Sequence, residues 1–257
     1  MCLILMAYRV HPDYELLVAA NRDEFYDRPT APLAFWDDHP ALLAGRDLQE
    51  GGAWMGLSGA GRFAALTNYR DPNRVRPDAP SRGHLVRDYL CSASSALVYL
   101  DRLRASSADY NGFNLLLGDE TGLYYASNRA AGIRRLAPGV YGLSNHLLDT
   151  PWPKVERGRR ALRQVLEQPA EGIVESLLEL LTDRTPAPDA ELPHTGVPLE
   201  WERWLSPLFI AAPGYGTRSS TVLVISATGR ARMVEMTWAN AYRREFELDW
   251  GGRDLAP

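Results

Sequence analysis

A chain of 257 residues that is 46% hydrophobic and 23% charged, with 28 Lys+Arg against 32 Asp+Glu and a net charge of −4, has the make-up of an ordinary soluble globular protein. That composition excludes a disordered tail, a collagen-like fibre and a bundle of membrane helices, and it lacks the basic stripe that nucleic acid demands. Two cysteines, Cys2 and Cys91, are too few for a disulfide framework and suit a reducing compartment.

The apolar start Leu3-Ile4-Leu5-Met6-Ala7 stops before Arg9, short of the roughly 18 residues needed to span a bilayer. It also lacks the charged region and cleavage site of a signal peptide, so the expectation is a cytoplasmic protein without stable membrane insertion. Residues 3–8 and 15–20 read as hairpin arms split by the turn signal His11-Pro12-Asp13. Residues 53–58 and 63–68 form a second pair around Gly59-Ala60-Gly61. Leu85, Tyr89, Leu97, Leu100 and Leu103 recur near helical spacing, which predicts one helix over 81–104. Strands follow at 113–117, 123–127, 133–136 and 140–143. Thr150-Pro151 is a helix start, and two helices carry the stripes Val155, Leu162, Val165, Leu166 and Ile173, Leu177, Leu178, Leu181. Four prolines make 185–198 a loop, and strands at 220–226, 231–237 and 244–248 complete the pattern. Strands in blocks separated by helices in blocks predict α+β layers in one domain spanning 1–257.

Several motifs fail, and their failure narrows the chemistry. Gly59-Ala60-Gly61-Arg62-Phe63-Ala64 fits a dinucleotide fingerprint but precedes a strand-like run, so it reads as a hairpin turn. There is no Walker loop, no Gly-x-Ser-x-Gly and no Cys-x-x-Cys, and the five histidines are scattered, so no metal or other cofactor is expected. Cys2 is the chemical clue. Removal of Met1 would give one residue both a thiol and a free α-amine, whose pKa of about 7.7–8.0 makes it a usable base. The alternative is a small core cysteine.

The tetrapeptide Asn21-Arg22-Asp23-Glu24 after the second strand, behind a Met-Cys start, resembles the NRDE family, also called the transport and Golgi organisation protein 2 family. That family is similar to N-terminal nucleophile (Ntn) hydrolases such as choloylglycine hydrolases and penicillin V acylases. The resemblance implies a four-layer αββα sandwich of two antiparallel sheets flanked by helices. It implies Cys2 as nucleophile, Arg22 and Asp23 as the Arg/Asp pair, Asn68 and Asn145 as the two asparagines, and Arg218 as the late arginine, with Asn21 and Glu24 in support.

The chemistry of these residue types fits acyl transfer. Neutral amides at Asn68 and Asn145 suit an oxyanion, Arg22 and Arg218 suit a thiol held as thiolate, and a carboxylate suits an α-amine that needs orienting. The acylases separate their Arg and Asp by three residues, whereas Arg22 and Asp23 are adjacent here. Strand alternation puts Arg22 and Glu24 on one side and Asp23 on the other, so Asp23 is the orienting group only if a bulge interrupts the tetrapeptide; otherwise Glu24 takes that role.

Two functions follow. One is a cysteine-dependent amidohydrolase acting on a non-peptide C–N bond of a small amide. The other, implied by the resemblance alone, is a carrier of haem or of a lipid or acyl-CoA ligand, for which Trp36, Trp54, Trp152, Trp201 and Trp204 would line an apolar cleft unless they are core.

Overall fold

The computed structural model describes residues 2–250. Among these residues fourteen strands make two antiparallel sheets of seven. The first sheet contains β1 (Cys2–Tyr8), β2 (Tyr14–Phe25), β10 (Gly139–Leu143), β12 (Tyr215–Ser226), β13 (Arg230–Thr237) and β14 (Tyr242–Asp249), in the order β10-β1-β2-β12-β13-β14, with β11 (Ala211–Ala212) added to β12. The second runs in chain order through β3 (Thr30–Trp36), β4 (His39–Asp47), β5 (Met55–Ser58), β6 (Arg62–Asn68), β7 (Phe113–Asp119), β8 (Gly122–Ser127) and β9 (Ile133–Arg135).

Side-chain alternation turns these sheets into four layers. Ile4, Met6 and Tyr8 of β1, with Leu16, Val18 and Ala20 of β2, point inward and meet Phe63, Ala65 and Leu116 of the other sheet. The intervening Leu3, Leu5, Ala7, Leu17 and Ala19 point outward under Val155 and Leu162 of α3 (Pro153–Leu166) and Leu177 of α4 (Ile173–Leu180). Ala64, Leu66, Leu115 and Leu117 face the opposite way, under α1 (Gly83–Cys91) and α2 (Ala96–Leu103). Central strands buried on both faces therefore read as unbroken apolar runs. The expected αββα order of layers is the one observed.

Some local expectations need correction. The helix expected over 81–104 is two helices. The chain breaks at Ser92-Ala93-Ser94-Ser95 because Ser95 caps a new start through Val98 N–H, and Asp119 Oδ2 accepts the Ala96 N–H (2.6 Å). The hairpin of β3 and β4 was not expected, and neither was the short α5 (Leu199–Trp204). The next helix starts at Pro153, not behind Thr150, whose hydroxyl is taken up by His146 Nδ1 and the Leu147 carbonyl (both 2.8 Å). Gly61, at φ 74°, closes the β5–β6 hairpin as expected.

Candidate active site

The site lies where the inner strands of the two sheets end together. β1 pairs with β2 so that Cys2 stands opposite Arg22 and Leu3 opposite Asn21. The parity of Ile4 and Ala20 puts Cys2 and Arg22 on the inner face. Both line a cleft of about 310 Å3, together with Asn68 at the end of β6, Glu24, Arg28 and Asp47, and the segment Pro80-Ser81-Arg82-Gly83 that leads into α1.

Each cleft residue is held in its own way. Arg22 stacks over the Trp54 ring (4.2 Å) and donates from Nη1 to Thr30 Oγ1 (3.1 Å), so its guanidinium joins the first sheet to the second. Arg28 is bound to Asp47 (2.6 Å) and lies 4.0 Å from Glu24, whose Oε1 accepts the Phe25 N–H (2.9 Å). Glu24 therefore pairs with Arg28 rather than with Arg22. The Asn68 side-chain amide makes no hydrogen bond among the described residues and faces the cleft, which leaves it available to a ligand oxygen. Burial pushes the Cys2 thiol up, against the opposing pull of Arg22 and of the Asp23 N–H. Arg22 pulls against that desolvation, whereas Arg218, the other arginine expected to act on the thiol, is turned to the Phe25 and Arg28 carbonyls.

Asp23 points the other way. It is 1% exposed on the α3 side of the sheet, with Oδ1 accepting from Thr217 Oγ1 (2.7 Å) and its carbonyl accepting from Tyr215 OH (3.0 Å). Asn21, on the same face, donates from Nδ2 to the carbonyls of Leu181 and Leu208 (2.9 Å each) and accepts from Ser220 Oγ (2.6 Å); it anchors the loop after α4 and does not reach the cleft. The whole tetrapeptide lies within β2 rather than after it, and no bulge interrupts it there. The bulge is in the neighbour. Thr217 pairs with Asp23 and Ser219 with Arg22, so Arg218 is the extra residue of β12.

Two expected site residues stand behind the cleft rather than in it. Arg218, expected to open a strand, sits three residues inside β12, and its Nη1 donates to the Phe25 (2.7 Å) and Arg28 (3.0 Å) carbonyls, which fixes the turn beside the cleft. Asn145 is fully buried. It donates from Nδ2 to the Asn68 carbonyl (2.9 Å) and accepts the Arg70 N–H on its own carbonyl (2.7 Å), so it supports Asn68. Ser144 Oγ donates to the Cys2 carbonyl (3.2 Å) and completes the link between the strand ends. The tryptophans are mostly core. Trp36 and Trp152 are buried, Trp201 packs on Leu205, Ile210 and Tyr215 with Trp204 against it, and Trp54 alone of the five lines this cleft. No group of three or more His, Cys, Asp or Glu among the described residues is arranged to hold a metal ion.

Sequence reasoning missed Lys154, and composition carried the signal. It is the single lysine of the chain; the other 27 of its 28 Lys+Arg are arginine. It occupies the first turn of α3, 2% exposed, and burial pushes its ammonium down to about 8 against the opposing pull of Asp23.

Residues 1–240 match the family model described as Transport and Golgi organisation 2. The chain belongs to that family. It is 37% identical over 259 residues to the Transport and Golgi organization protein 2 homolog of Bos taurus, covering 91% of this chain and 92% of that protein. It is 30% identical over 264 residues to Transport and Golgi organization protein 2 of Drosophila melanogaster, covering 92% of each. Among solved structures it is similar to the C2A mutant of the conjugated bile acid hydrolase from Clostridium perfringens, with TM-score 0.51 and 9% identity over 99% of this chain and 95% of that one. At that identity the likeness shows the fold alone, an Ntn-hydrolase-like sandwich. No helix among the described residues is long and apolar enough to cross a membrane.

Proposed function

We propose that this member of the family is a cysteine-dependent amidohydrolase that cleaves a non-peptide C–N bond of a small amide. What carries the reading is one juxtaposition: a thiol at Cys2 and an uncommitted amide at Asn68 open on the same cleft, one from each sheet. The solved neighbour is named as a hydrolase of conjugated bile acids and as a C2A mutant, so in that chain an alanine replaces a cysteine at the second position.

The chemistry needs Met1 removed. The thiol, raised by burial, passes its proton to the α-amine of Cys2, and sulfur attacks the amide carbon. The β1–β2 ladder sets the main-chain nitrogen of Cys2 toward the level of Asp23, which favours Asp23 over Glu24 as the group that orients it. Asn68 donates to the oxygen that becomes negative. The C–N bond then breaks as the departing amine takes the proton from the α-ammonium. Water attacks the thioester, with the same amine as base, to release the acid. Carriage of haem or a lipid finds less support, because Arg22, Glu24, Arg28, Asp47, Glu50 and Arg82 give the cleft a charged lining.

Protein lacking Met1 is expected to release nitrophenolate from p-nitrophenyl acetate in a burst of one equivalent. Cys2→Ala should abolish the burst with little change in melting temperature, and Asn68→Ala should slow it by about 10²–10³. A burst that survives Cys2→Ala refutes the assignment.

A further inference from the structure

The three arginines of the cleft are not equivalent. Arg28 is spent inside the protein: its Nε and Nη2 both reach Asp47 Oδ2 (3.2 and 2.6 Å), and Glu24 lies 4.0 Å away. Arg22 is the cross-strand neighbour of Cys2, with one face of its guanidinium against Trp54, so it stands at the thiol itself. Arg82 is different. It lines the cleft from a segment outside both sheets, is half-buried, and forms no ion pair among the described residues. Burial works against its charge, and the strongest influence in its favour is Glu24, which is already engaged by the Phe25 N–H and Arg28. A guanidinium kept partly out of water without a carboxylate is poised for an anion from outside.

The backbone fixes where Arg82 points. Its Nη1 donates to the Gly112 carbonyl (3.1 Å), and that carbonyl also accepts the N–H of Tyr69 (2.9 Å), the residue that follows Asn68. Arg82 and Asn68 are thus held to one backbone oxygen, and both line the cleft. The segment 76–82 is clasped at its other end too. Asn111 Oδ1 accepts the Arg76 N–H, and Asn111 Nδ2 donates to the Arg76 carbonyl (2.8 Å each). Pro77 and Pro80 stiffen the stretch between the clasps. The bond to Gly112 uses one N–H of the Arg82 fork and leaves the others open. Gly83 begins α1 and lines the same cleft, so the positive end of that helix adds to the field. A cleft of about 310 Å3 is at the small end of ligand pockets, about 300–1,000 Å3, and suits a compact polar molecule rather than a long chain.

We propose that the substrate of the Cys2 site is a compact amide bearing a carboxylate, and that Arg82 is the specificity residue that receives it. The proposal rests on the amidohydrolase reading for turnover, whereas the carboxylate site itself can be tested without turnover. With the scissile carbonyl between Cys2 and Asn68, the charged end belongs at the wall formed by residues 80–83. The shared chemistry is a carboxylate a few bonds from the carbonyl, on the acyl or the amine side, and the probes separate the two.

p-Nitrophenyl hydrogen glutarate carries the carboxylate on the acyl side. Protein lacking Met1 should be acylated by it about tenfold or more faster than by p-nitrophenyl acetate, the worth of a hydrogen bond to a charged group. Arg82→Gln should remove that preference, and Arg82→Lys, which keeps the charge but not the fork, should restore part of it. A merely structural role would slow both esters alike and leave their ratio unmoved. Without turnover, glutarate and N-acetylglycine should each slow alkylation of Cys2 by iodoacetamide, read by peptide mass spectrometry. Uncharged glutaramide should not, and the exposed Cys91 should react at one rate throughout. Arg82→Gln should abolish the protection, with Arg82→Lys taking its place if that variant fails to fold. Equal reaction of the two esters, with Arg82-dependent protection by N-acetylglycine, places the carboxylate on the amine side. A glutarate preference that survives Arg82→Gln, or protection that is absent in wild type or unchanged in the variant, overturns the proposal. No burst from either ester, with protection that still depends on Arg82, refutes the amidohydrolase reading and leaves the carboxylate site standing.

Discussion

Asp23 and Glu24 are neighbours in sequence, yet β2 sends them to opposite faces, and their surroundings assign them different work. Glu24 lies beside the cleft, tied to the Phe25 N–H and near Arg28, so it helps to hold the turn after β2. Asp23 is buried and hydrogen-bonded to Thr217 at the level where the Cys2 main chain enters the ladder. Asp23→Asn should therefore reduce kcat by at least 10²-fold while Glu24→Gln changes it by less than tenfold, by analogy with the loss when a group orienting a catalytic base is neutralised. The converse ranking in single-turnover kinetics would move the orienting role to Glu24. The candidates at this scale were legible as residue types, but their directions were not. Alternation along β2 correctly separated Arg22 and Glu24 from Asp23. What stayed hidden is that β2 runs unbroken through the tetrapeptide while the extra residue is Arg218 on the facing strand, because register between distant strands leaves no local mark.

Elements position the cleft through close backbone contact. The loop after β4 meets the start of α1 at Gly52 and Gly83: the Ala53 N–H donates to the Gly83 carbonyl (3.1 Å), and a Cβ on Gly52 would lie 2.5 Å from the Gly83 carbonyl carbon. Backbone on the far side cannot rotate away as a side chain can. Gly52→Ala should cost about 1–3 kcal/mol, the usual range for overpacking. It should also push the Ser81-Arg82-Gly83 wall outward, so substrate KM rises more than kcat falls; unchanged denaturation and unchanged KM would show that the loop relaxes freely. The elements most visible in the sequence were those with sustained apolar runs, such as β1, β6 and β7. The hairpin of β3 and β4 escaped because Pro32 and Pro40 break its pattern. Pro32 is tolerated where it is because β3 is an edge strand. Similarly, α5 has six residues, too few for a helical period to show.

At the scale of the whole molecule, the two groups proposed to act together come from different sheets: Cys2 from the first and Asn68 from the second. Most of the interface between the sheets is apolar and sets no fine spacing along the strands. At the site end, polar bonds do. Thr67 Oγ1 donates to the Ser144 carbonyl (2.6 Å) while accepting from Asn114 Nδ2 (3.0 Å), and Ser144 Oγ in turn donates to the Cys2 carbonyl (3.2 Å). This chain of bonds runs from β6 to the Cys2 main chain, and neither Thr67 nor Ser144 lines the cleft. Thr67→Val keeps the shape and removes the hydroxyl, leaving the Ser144 carbonyl without that donor and Asn114 Nδ2 with the His146 carbonyl (2.8 Å) as its remaining acceptor. A buried polar group left unpaired costs about 1–3 kcal/mol, so a loss near 2 kcal/mol is expected by urea unfolding. If the lacing sets the distance between thiol and amide, the burst rate should also fall about tenfold, although Thr67 meets no substrate. Glu235→Gln supplies the control. Glu235 also joins the sheets, through the Leu33 N–H (2.7 Å), and its amide counterpart can still accept that bond. It should leave the burst unchanged. A Thr67→Val protein that loses stability but acylates at the wild-type rate would show that the apolar interface alone fixes the two sheets.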